Sequence, residues 1–294
     1  MMKMIYALGY FDGVHMGHKA LLTACRELAQ AQKCSSGAVT FLSHPEALVL
    51  GTAPGLINTP EDRKKLLLEQ FHMDTVVELS FDKALMKTPW QDFLSSLIEN
   101  YGAAGFVCGT DFRFGKGGQG TAKLLQAFCW ENNLACCLVE QQFLDGVRIS
   151  STYIRGLLES GDIVHANRFL GHPHILTGVV HSGKQLGRTI GVPTANISYP
   201  EELVKLPFGV YACKVRAEGK TYTAVTNVGV RPTVSGAGVT VESHLLDFSG
   251  DLYGKIVEIS FCDFIRPEQK FSDLTQLKAQ IETDKMITKK LFAE

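Results

Sequence analysis

A glycine-containing turn with two histidines lies close to the amino terminus of the chain. Residues Gly9–His18 read G-Y-F-D-G-V-H-M-G-H, directly after a short apolar run and directly before a helix-like stretch. Such a turn presents backbone N–H groups and a helix amino end to an anion. His15 and His18 can add imidazole donors to phosphate oxygens, which suits nucleotidyl transfer, in which charge builds on the α-phosphate and the leaving pyrophosphate. Two histidines that merely cap the helix explain this turn equally well when it is taken alone.

Three further polar segments follow predicted strands or open a predicted helix. Thr40–Pro45 reads T-F-L-S-H-P and Gly109–Gly115 reads G-T-D-F-R-F-G, and each stands at the end of an apolar run. Ile149–Arg155 reads I-S-S-T-Y-I-R and places three hydroxyl groups at a helix start, with an arginine in the first turns. This arrangement can clamp a phosphate, although an ordinary helix N-cap is the better explanation of the segment alone.

A second group of candidate residues lies in the carboxy-terminal half. Gly183–Asn196 contains three glycines and two basic residues, a composition that can wrap a phosphate chain. Thr194 and Asn196 offer neutral oxygens to Mg²⁺, which takes few protein ligands when phosphates are present. Glu242 lies on a strand of alternating pattern and can accept the proton of an attacking hydroxyl. A bland glycine-rich hairpin and a solvated surface glutamate stay open as simpler interpretations.

The elements that must position the first group alternate between strand and helix. Apolar runs predict buried strands at 4–8, 37–41, 75–79, 105–108 and 135–139, and helical patterns fall at 18–32, 60–70, 89–101 and 121–132. This alternation predicts an α/β fold, in which a parallel sheet carries helices on both faces and binds ligands at the carboxyl ends of its strands.

The second half is rich in β-structure. Two short helical segments span 150–170 and stop at Gly171–Pro173, where we place the domain boundary. Strand-like segments then follow at 175–181, 209–215, 222–228, 239–246 and 255–261, separated by Gly- and Pro-rich turns, and together they predict a small barrel. A last helix at 274–292 has Leu277, Ile281 and Ile287 on roughly one face, which we expect to pack on that barrel.

Composition and charge narrow the class of protein. The 294 residues are about twice the ~150 typical of one domain, and 45% hydrophobic residues indicate a globular chain. A formal net charge of -1 removes the usual electrostatic reason to expect a nucleic-acid partner. No apolar run reaches the ~20 residues of a membrane helix, and the start of the chain lacks the pattern of a signal peptide. Eight cysteines without metal-ligand spacing indicate free thiols, so we expect a cytoplasmic protein.

The motifs of the two halves closely resemble those of the bacterial bifunctional riboflavin kinase/FMN adenylyltransferase family, also called FAD synthetases. The adenylyltransferase patterns G-x-F-D-G-x-H-x-G-H, T-F-x-x-H-P, G-x-D-F-x-F-G and I-S-S-T-x-I-R are present in this order. The kinase patterns G-x-x-x-G-R-x-x-G-x-P-T-A-N, N-x-G-x-R-P-T and E-x-H-x-L-D-F follow them. The resemblance covers residues 9–284. It implies a Rossmann-like adenylyltransferase domain at 1–171, including linker helices at 150–170, and a six-stranded riboflavin-kinase-like barrel with a terminal helix at 172–294.

The resemblance also implies which residues act and on what. It implies phosphorylation of riboflavin by ATP to FMN, then adenylylation of FMN by ATP to FAD, with Mg²⁺ as cofactor and no nucleic-acid or membrane partner. The implied catalytic residues are His15, His18, Arg155 and Glu242, the last as the base, and the implied metal ligands are Thr194 and Asn196. The residues expected to bind ATP or phosphate are Gly9, Phe11, Gly13, Gly17, Ser151, Thr152, Gly183, Lys184, Gly187 and Arg188. Those expected to bind flavin are His44, Pro45, Asp111, Phe112, Phe114, Asn227 and Arg231.

Three segments depart from the family pattern. Tyr10 stands where the family usually has Asn or Ser, and Leu42–Ser43 replaces its common Asp-Pro. His172 and His174 replace the arginine and tyrosine of L-G-R-P-Y. This last departure motivates a second hypothesis, in which only the adenylyltransferase is active and the barrel binds flavin or regulates. A flavin-storage or flavin-sensing protein without turnover is a third.

Overall fold

The α/β plus β architecture expected from the sequence is confirmed by the structure, a computed structural model. It describes residues 2–44, 46, 48, 51–182, 191–233 and 236–293, with the backbone alone at 231–233, 236 and 237. The chain forms two compact units, Met1–Leu56 with Pro60–Ser151 and Ile57–Thr59 with Thr152–Glu294. The domain boundary expected at residue 171 stays a prediction.

The strands of the first unit form a parallel sheet and two small hairpins. In chain order they are β1 (Met4–Leu8), β2 (Ser35–Phe41), β3 (Thr75–Leu79), β4 (Ala103–Gly109), β5 (Arg113–Phe114), β6 (Gly120–Thr121), β7 (Ala135–Val139), β8 (Phe143–Leu144) and β9 (Val147–Arg148). Within the described residues the sheet has the order β3-β2-β1-β4-β7, and β1 is buried along its whole length while the edge strands are half-buried. The strand order reverses between β1 and β4, and sheets of this kind bind ligands in the crevice at that reversal.

The helices predicted for the first unit are confirmed to within a few residues. They are α1 (Met16–Ala31), α2 (Pro60–Lys65), which continues as a π-helical turn at Leu66–Gln70, α4 (Trp90–Tyr101) and α5 (Ala122–Glu131), and a short helix α3 (Lys83–Lys87) stands between them. The sequence pattern did not reveal α3, because five residues are too few to show helical periodicity. Asp82 begins α3, since its carboxylate accepts hydrogen bonds from the N–H groups of Ala84 and Leu85.

The second unit is an antiparallel sheet curved into a near-barrel. Its elements are α6 (Ser151–Ser160, beginning in the first unit), α7 (Ile163–Leu170), β10 (His174–Val179), β11 (Ala195–Ser198), β12 (Gly209–Ala217), β13 (Lys220–Thr233), β14 (Gly236–Leu245), β15 (Ile256–Pro267) and α8 (Leu274–Leu291). Six described strands have the order β10-β15-β12-β13-β14-β11. A bridge between His181 and Asn196 links the two edges of this sheet. The predicted six-stranded barrel is therefore confirmed, and β11 is the strand that the sequence pattern missed.

Helix α8 packs on the barrel through only part of the predicted apolar face, since Leu277 and Ile281 are half-buried and Ile287 is exposed. Its fully buried residues are Asp284 and Thr288, whereas Ile287 is 40% exposed, so the expectation that Ile287 faces the barrel is wrong. The Asp284 carboxylate accepts hydrogen bonds from Nε (3.0 Å) and Nη2 (2.8 Å) of Arg266 on β15. A buried carboxylate must keep its cationic partner, and this requirement fixes the rotation of the helix.

Candidate active sites

The loop that follows β1 is closed by the buried ring of Phe11. Phe11 lies in the left-handed region (φ 58°), which bulky residues rarely adopt, and its side chain is 0% exposed. A Cβ atom on Gly9 would stand 3.0 Å from that ring, so a larger residue at position 9 would press against it. Gly13, with φ 79°, continues the turn. Of the residues expected to bind phosphate here, Phe11 can therefore reach a ligand only through its backbone.

The two histidines of the loop form a stacked pair. The ring centroids of His15 and His18 are 3.6 Å apart with an interplanar angle of 10°. Nδ1 of His15 accepts a hydrogen bond from the backbone N–H of His18 at 3.2 Å, so His15 is also the N-cap of α1. A Cβ atom on Gly17 would stand 3.1 Å from the His15 ring, and the glycine therefore leaves room for the stack. The structure thus combines the helix cap and the paired imidazoles that the sequence left as alternatives.

Burial keeps the His18 imidazole neutral. Its pKa is well below the ordinary value of 6.5, chiefly because burial penalises the charged form and secondarily because the charges of His15 and Arg63 repel a proton. Nδ1 of His18 is buried and has no hydrogen-bond partner among the described residues. A neutral imidazole still offers one donor and one acceptor. The pair can therefore orient phosphate oxygens near neutral pH, but His18 does not bring a positive charge.

The helix that carries the hydroxyl motif begins at this loop. Oγ of Ser151 donates a hydrogen bond to the carbonyl oxygen of Asp12 at 2.9 Å, and this bond fastens the start of α6 to the loop after β1. The Ser151 oxygen keeps lone pairs that can accept a further bond. Thr152 is exposed and Arg155 is buried, and both belong to the second unit. Their roles toward phosphate stay predictions.

The T-F-L-S-H-P segment meets the histidine loop at Tyr10, the position that departs from the family pattern. The ring of His44 lies edge-on to the Tyr10 ring, with centroids 4.7 Å apart. Oγ1 of Thr40 donates a hydrogen bond to the carbonyl oxygen of Tyr10 at 2.7 Å. The structure therefore brings His44 beside the loop after β1, as expected for the ends of neighbouring parallel strands. Pro45 lies outside the described residues.

The segment that follows β4 divides into an exposed and a buried part. The Asp111 carboxylate is half-exposed and binds Nη2 of Arg148 at 2.5 Å. Phe112 stacks on Phe114 with ring centroids 5.4 Å apart. Phe114 is only 7% exposed and packs in the hydrophobic core, with its ring 6.3 Å from that of Trp90. Phe114 can therefore support the Phe112 ring from the core, but it offers no exposed surface of its own.

Arg63 is a residue that the sequence analysis did not single out. Its side chain is 0% exposed, and its Nη2 donates a hydrogen bond to the carbonyl oxygen of Phe41 at the end of β2, at 2.5 Å. Its guanidinium carbon lies 4.7 Å from the centroid of the Tyr10 ring, a cation–π contact. The sequence around it is an ordinary helix start, and no local signal distinguishes it from the exposed Lys64 that follows.

In the second unit, residues of three separate motifs form one row across the sheet. Glu242 on β14 is the register partner of Asn196 on β11 and of Asn227 on β13. Directly opposed residues of antiparallel strands share one face, with Cβ atoms about 5 Å apart. Val241 and Ser243 are 0% exposed on the other face, which confirms the alternation predicted for this strand. The expected base therefore lies beside an expected metal ligand and an expected flavin-binding residue.

Asn196 has the chemistry of a cation ligand. Its Nδ2 donates hydrogen bonds to the carbonyl oxygen (3.1 Å) and Oγ1 (3.2 Å) of Thr194, which fixes the amide and brings the two expected ligands together. Its Oδ1 is buried and has no partner among the described residues. A buried carbonyl oxygen without a donor is costly unless a ligand or cation satisfies it. In the described part of the chain, no cluster of three or more His, Cys, Asp or Glu side chains could hold a metal.

A cavity of about 220 Å³ opens beside Thr194. The residues that line it are Val180, Pro193, Thr194, Ala195, Leu245 and Phe248–Tyr253. Nδ1 of His244 lies 2.8 Å from the carbonyl oxygen of Pro193 and so connects the E-x-H strand with the P-T-A-N segment. The lining residues Asp251 and Tyr253 received no role from the sequence, although they closely follow the E-x-H motif.

Several expected ligand-binding residues cannot be placed. Gly183, Lys184, Gly187 and Arg188 lie outside the described residues, and the side chain of Arg231 is not described.

The histidine that departs from the family pattern at the start of β10 is a core residue. His174 is 0% exposed, and its ring lies 5.6 Å from that of Phe261. Its backbone N–H donates a hydrogen bond to Oδ1 of Asn167 at 2.7 Å, and Nδ2 of Asn167 donates to the carbonyl oxygen of Phe261 at 2.8 Å. The Asn167 side chain therefore joins α7 to β10 and β15, and His174 packs in the core beside these bonds rather than in the row that contains Glu242.

Comparisons with known proteins agree for both halves. A family model described as FAD synthetase matches residues 2–153, and one described as riboflavin kinase matches residues 170–292. The chain is 34% identical to the bifunctional riboflavin kinase/FMN adenylyltransferase of Bacillus subtilis, over 99% of this chain and 93% of that protein. It is 38% identical to the protein of the same name from Haemophilus influenzae, over 97% and 93%.

The fold is also shared with a solved structure over almost the whole length. A crystal structure described as a macrolide-efflux protein from Streptococcus pneumoniae has a TM-score of 0.87 and 29% identity, covering 98% of this chain and 94% of that one. Among the residues that the structure describes here, no helix combines the length and apolar character that a membrane span requires. The matches of both family models and the full-length relatives together show that the chain belongs to the bifunctional riboflavin kinase/FMN adenylyltransferase family.

Proposed function

We propose that this chain makes flavin cofactors in two ATP-dependent steps, phosphorylation of riboflavin to FMN and adenylylation of FMN to FAD. The row of Asn196, Glu242 and Asn227 carries the kinase half of this proposal, because three separate motifs converge there. An adenylyltransferase with an inactive barrel is less well supported, since the riboflavin kinase model covers the barrel and the named relatives are bifunctional. The substitution of His174 does not disturb that row.

In the kinase step, the chain's contribution is proton transfer and orientation. The Glu242 carboxylate accepts the proton of the ribityl 5′-hydroxyl as the hydroxyl oxygen attacks the γ-phosphorus of ATP and ADP leaves. Asn227, whose Nδ2 donates to Oε1 of Glu268 at 3.2 Å, is held beside Glu242 and orients the flavin. These roles rest on the register of the three strands and on the family resemblance.

Mg²⁺ fits the oxygen donors of this site. Oδ1 of Asn196, which has no partner among the described residues, and the adjacent Oγ1 of Thr194 are neutral oxygens. Mg²⁺ accepts ligands of this kind alongside phosphate oxygens and water. When bound, Mg²⁺ neutralises charge on the transferred phosphoryl group. Asn196 and Thr194 would hold it.

In the adenylyl-transfer step, an oxygen of the FMN phosphate attacks the α-phosphorus of ATP and displaces pyrophosphate. No general base is required, because a phosphate monoester with a second pKa of about 6 is already ionised near neutral pH. His15 and His18 orient the phosphates with imidazole donors, and Arg155 is assigned to the same step from the sequence motif. Positioning and charge stabilisation therefore supply the rate acceleration.

The two active sites are separable by single substitutions. His18→Ala should abolish FAD formation from FMN and ATP and leave FMN formation from riboflavin intact, whereas Glu242→Ala should do the reverse. Chromatography of riboflavin, FMN and FAD over time, with ATP and Mg²⁺, measures both activities in one sample. The activity that each variant retains shows that the variant is folded. Wild-type FAD synthesis by His18→Ala, or wild-type FMN synthesis by Glu242→Ala, would contradict the assigned role.

Domain limits and location complete the proposal. We assign residues 1–171 to the adenylyltransferase and 172–294 to the kinase, and the two family models leave 154–169 between them. A cytoplasmic location is supported by the eight cysteines, all of which are free thiols. The substrates are riboflavin, FMN and ATP, and no nucleic-acid partner is expected.

A further inference from the structure

A fully buried guanidinium lies at the carboxyl edge of the first unit's sheet. Arg63 is 0% exposed, and its one hydrogen bond among the described residues joins Nη2 to the carbonyl oxygen of Phe41. Its Nε and Nη1 are buried and have no partner in that part of the chain. Two of its three nitrogens therefore have donors without an acceptor among the described residues.

This arrangement is costly for the protein by itself. An arginine keeps its charge in proteins, and a buried charge without an anion is strongly destabilising. Three other arginines, Arg148, Arg216 and Arg266, each bind a carboxylate. Among the described residues no carboxylate does so for Arg63, so the place of its counter-ion is open to an anion from outside the chain.

The surroundings of Arg63 identify that anion. Its guanidinium lies over the ring of Tyr10, which follows Gly9 in the loop after β1, and it binds the end of β2 through Phe41. It is also close enough to His18 to lower the pKa of that imidazole. All of these residues belong to the first unit. The free donors therefore lie in the part of the sheet where the adenylyl-transfer site is proposed.

The chemistry of the step requires a fixed positive charge there. An FMN phosphate carrying about -1.5 to -2 charges must approach the phosphates of ATP, which are also anionic. The stacked pair of His15 and His18 supplies donors, but His18 stays neutral, so the pair does not supply the full charge. A buried guanidinium can supply it without reorganising during the reaction.

We propose that Arg63 is a further phosphate-binding residue of the adenylyl-transfer site, where its Nε and Nη1 donate to non-bridging phosphate oxygens. This inference rests on the proposed adenylyltransferase function and deepens it. Arg63 forms no covalent bond and transfers no proton. It lowers the electrostatic cost of bringing the FMN phosphate to the α-phosphate of ATP. It also holds either the attacking FMN phosphate or the departing pyrophosphate in the geometry of in-line attack.

Neutral substitutions test this proposal on the full chain. Arg63→Met and Arg63→Gln should lower the rate of FAD formation by about 100-fold or more, the loss typical of a missing transition-state donor. Both should leave FMN formation unchanged. Arg63→Lys should be more active than the Met and Gln variants, because it restores the positive charge but not the planar guanidinium that can donate two parallel hydrogen bonds. Lys64→Met is the matched control, since it removes a neighbouring cation that is exposed and pairs with Glu78.

Thermal unfolding separates binding from packing. Without ligand, Arg63→Met should unfold at the same or a higher temperature than the wild type, because it removes an unpaired buried charge. Inorganic pyrophosphate should raise the midpoint of the wild type and of Lys64→Met, and this rise should be absent from Arg63→Met. A raised KM for ATP would assign the guanidinium to the nucleotide phosphates and a raised KM for FMN to the flavin phosphate, and either supports the proposal.

Three results would overturn the proposal. They are near-wild-type FAD formation by Arg63→Gln, equal activity of the Lys and Met variants, and a pyrophosphate shift that is either absent from the wild type or retained by Arg63→Met. A wild-type chain that makes no FAD at all would instead refute the adenylyltransferase function, and the pyrophosphate measurement would still test the anion site at Arg63.

Discussion

The buried imidazole of His174 makes the stability of the second unit sensitive to acid. Burial, and secondarily the charge of His172, lowers the pKa of His174 from 6.5 to about 3. Between these two values the unfolded chain binds a proton that the folded chain does not. Lowering the pH through this range therefore favours unfolding, and the stability is fully present only above about pH 6.5.

The size of the effect follows from the difference between the two pKa values. At pH 7.5 both states are neutral and the cost is close to zero. At pH 5.0 the unfolded state is protonated and the folded state is not, which corresponds to about 2 kcal/mol from His174 alone. For a unit of this size, 2 kcal/mol corresponds to a fall in the unfolding midpoint on the order of 8 °C.

The variant His174→Leu removes the titrating group and keeps a similar side-chain volume. Because both ring nitrogens of His174 are buried without partners in the described part of the chain, the variant should be at least as stable as the wild type at pH 7.5. Its advantage should grow by about 2 kcal/mol at pH 5.0. Calorimetry of the full chain at both pH values measures this double difference. His165→Gln, which removes an exposed histidine, is the control and should change stability by less than about 0.5 kcal/mol.

Two results would refute the reasoning. If His174→Leu lost as much stability between pH 7.5 and 5.0 as the wild type does, the imidazole would not be buried in its neutral form. If the variant stayed folded at pH 7.5 but no longer made FMN, His174 would act in the kinase site and not in packing.

Further substitutions test the positioning of other elements. Gly17→Ala should displace the His15 ring from its stack and lower the rate of FAD formation by about tenfold. Helix α1 should stay stable, because alanine is a better helix former than glycine. An unchanged rate of FAD formation would contradict this prediction. Asp284→Asn should destabilise the second unit by about 3 kcal/mol, because the Arg266 side chain, only 17% exposed, loses its anionic partner. Hydrogen exchange of the backbone amides of α8 measures this loss. Protection equal to that of the wild type would show that the ion pair does not hold the helix.

Much of the architecture was predictable because its signals are local. The apolar runs around β1 and β4 and the glycine turn at Gly9–His18 act over a few residues, so residue type and spacing predicted both the strands and the loop that follows β1. The short helix α3 and the four-residue strand β11 were missed, because such elements are too short to show a period.

The rotation of α8 about its axis could not be predicted from the spacing of apolar residues along the chain. Apolar spacing suggested Ile287 as a barrel contact, but the structure leaves Ile287 exposed and buries Asp284 instead. The reason is a pairing with Arg266, 18 residues earlier in the chain, which no local periodicity records.

The sequence by itself determined the order of the motifs, the division into an α/β half and a β-rich half, and the family that these motifs resemble. It did so because each motif is a contiguous turn or strand end whose function depends on its own residues. Tertiary structure alone decided that Glu242 lies between Asn196 and Asn227. It also decided that Arg63 is buried beside Tyr10, with donors that have no partner among the described residues. Register and burial depend on segments that are distant in the chain, so the residue types could not reveal them.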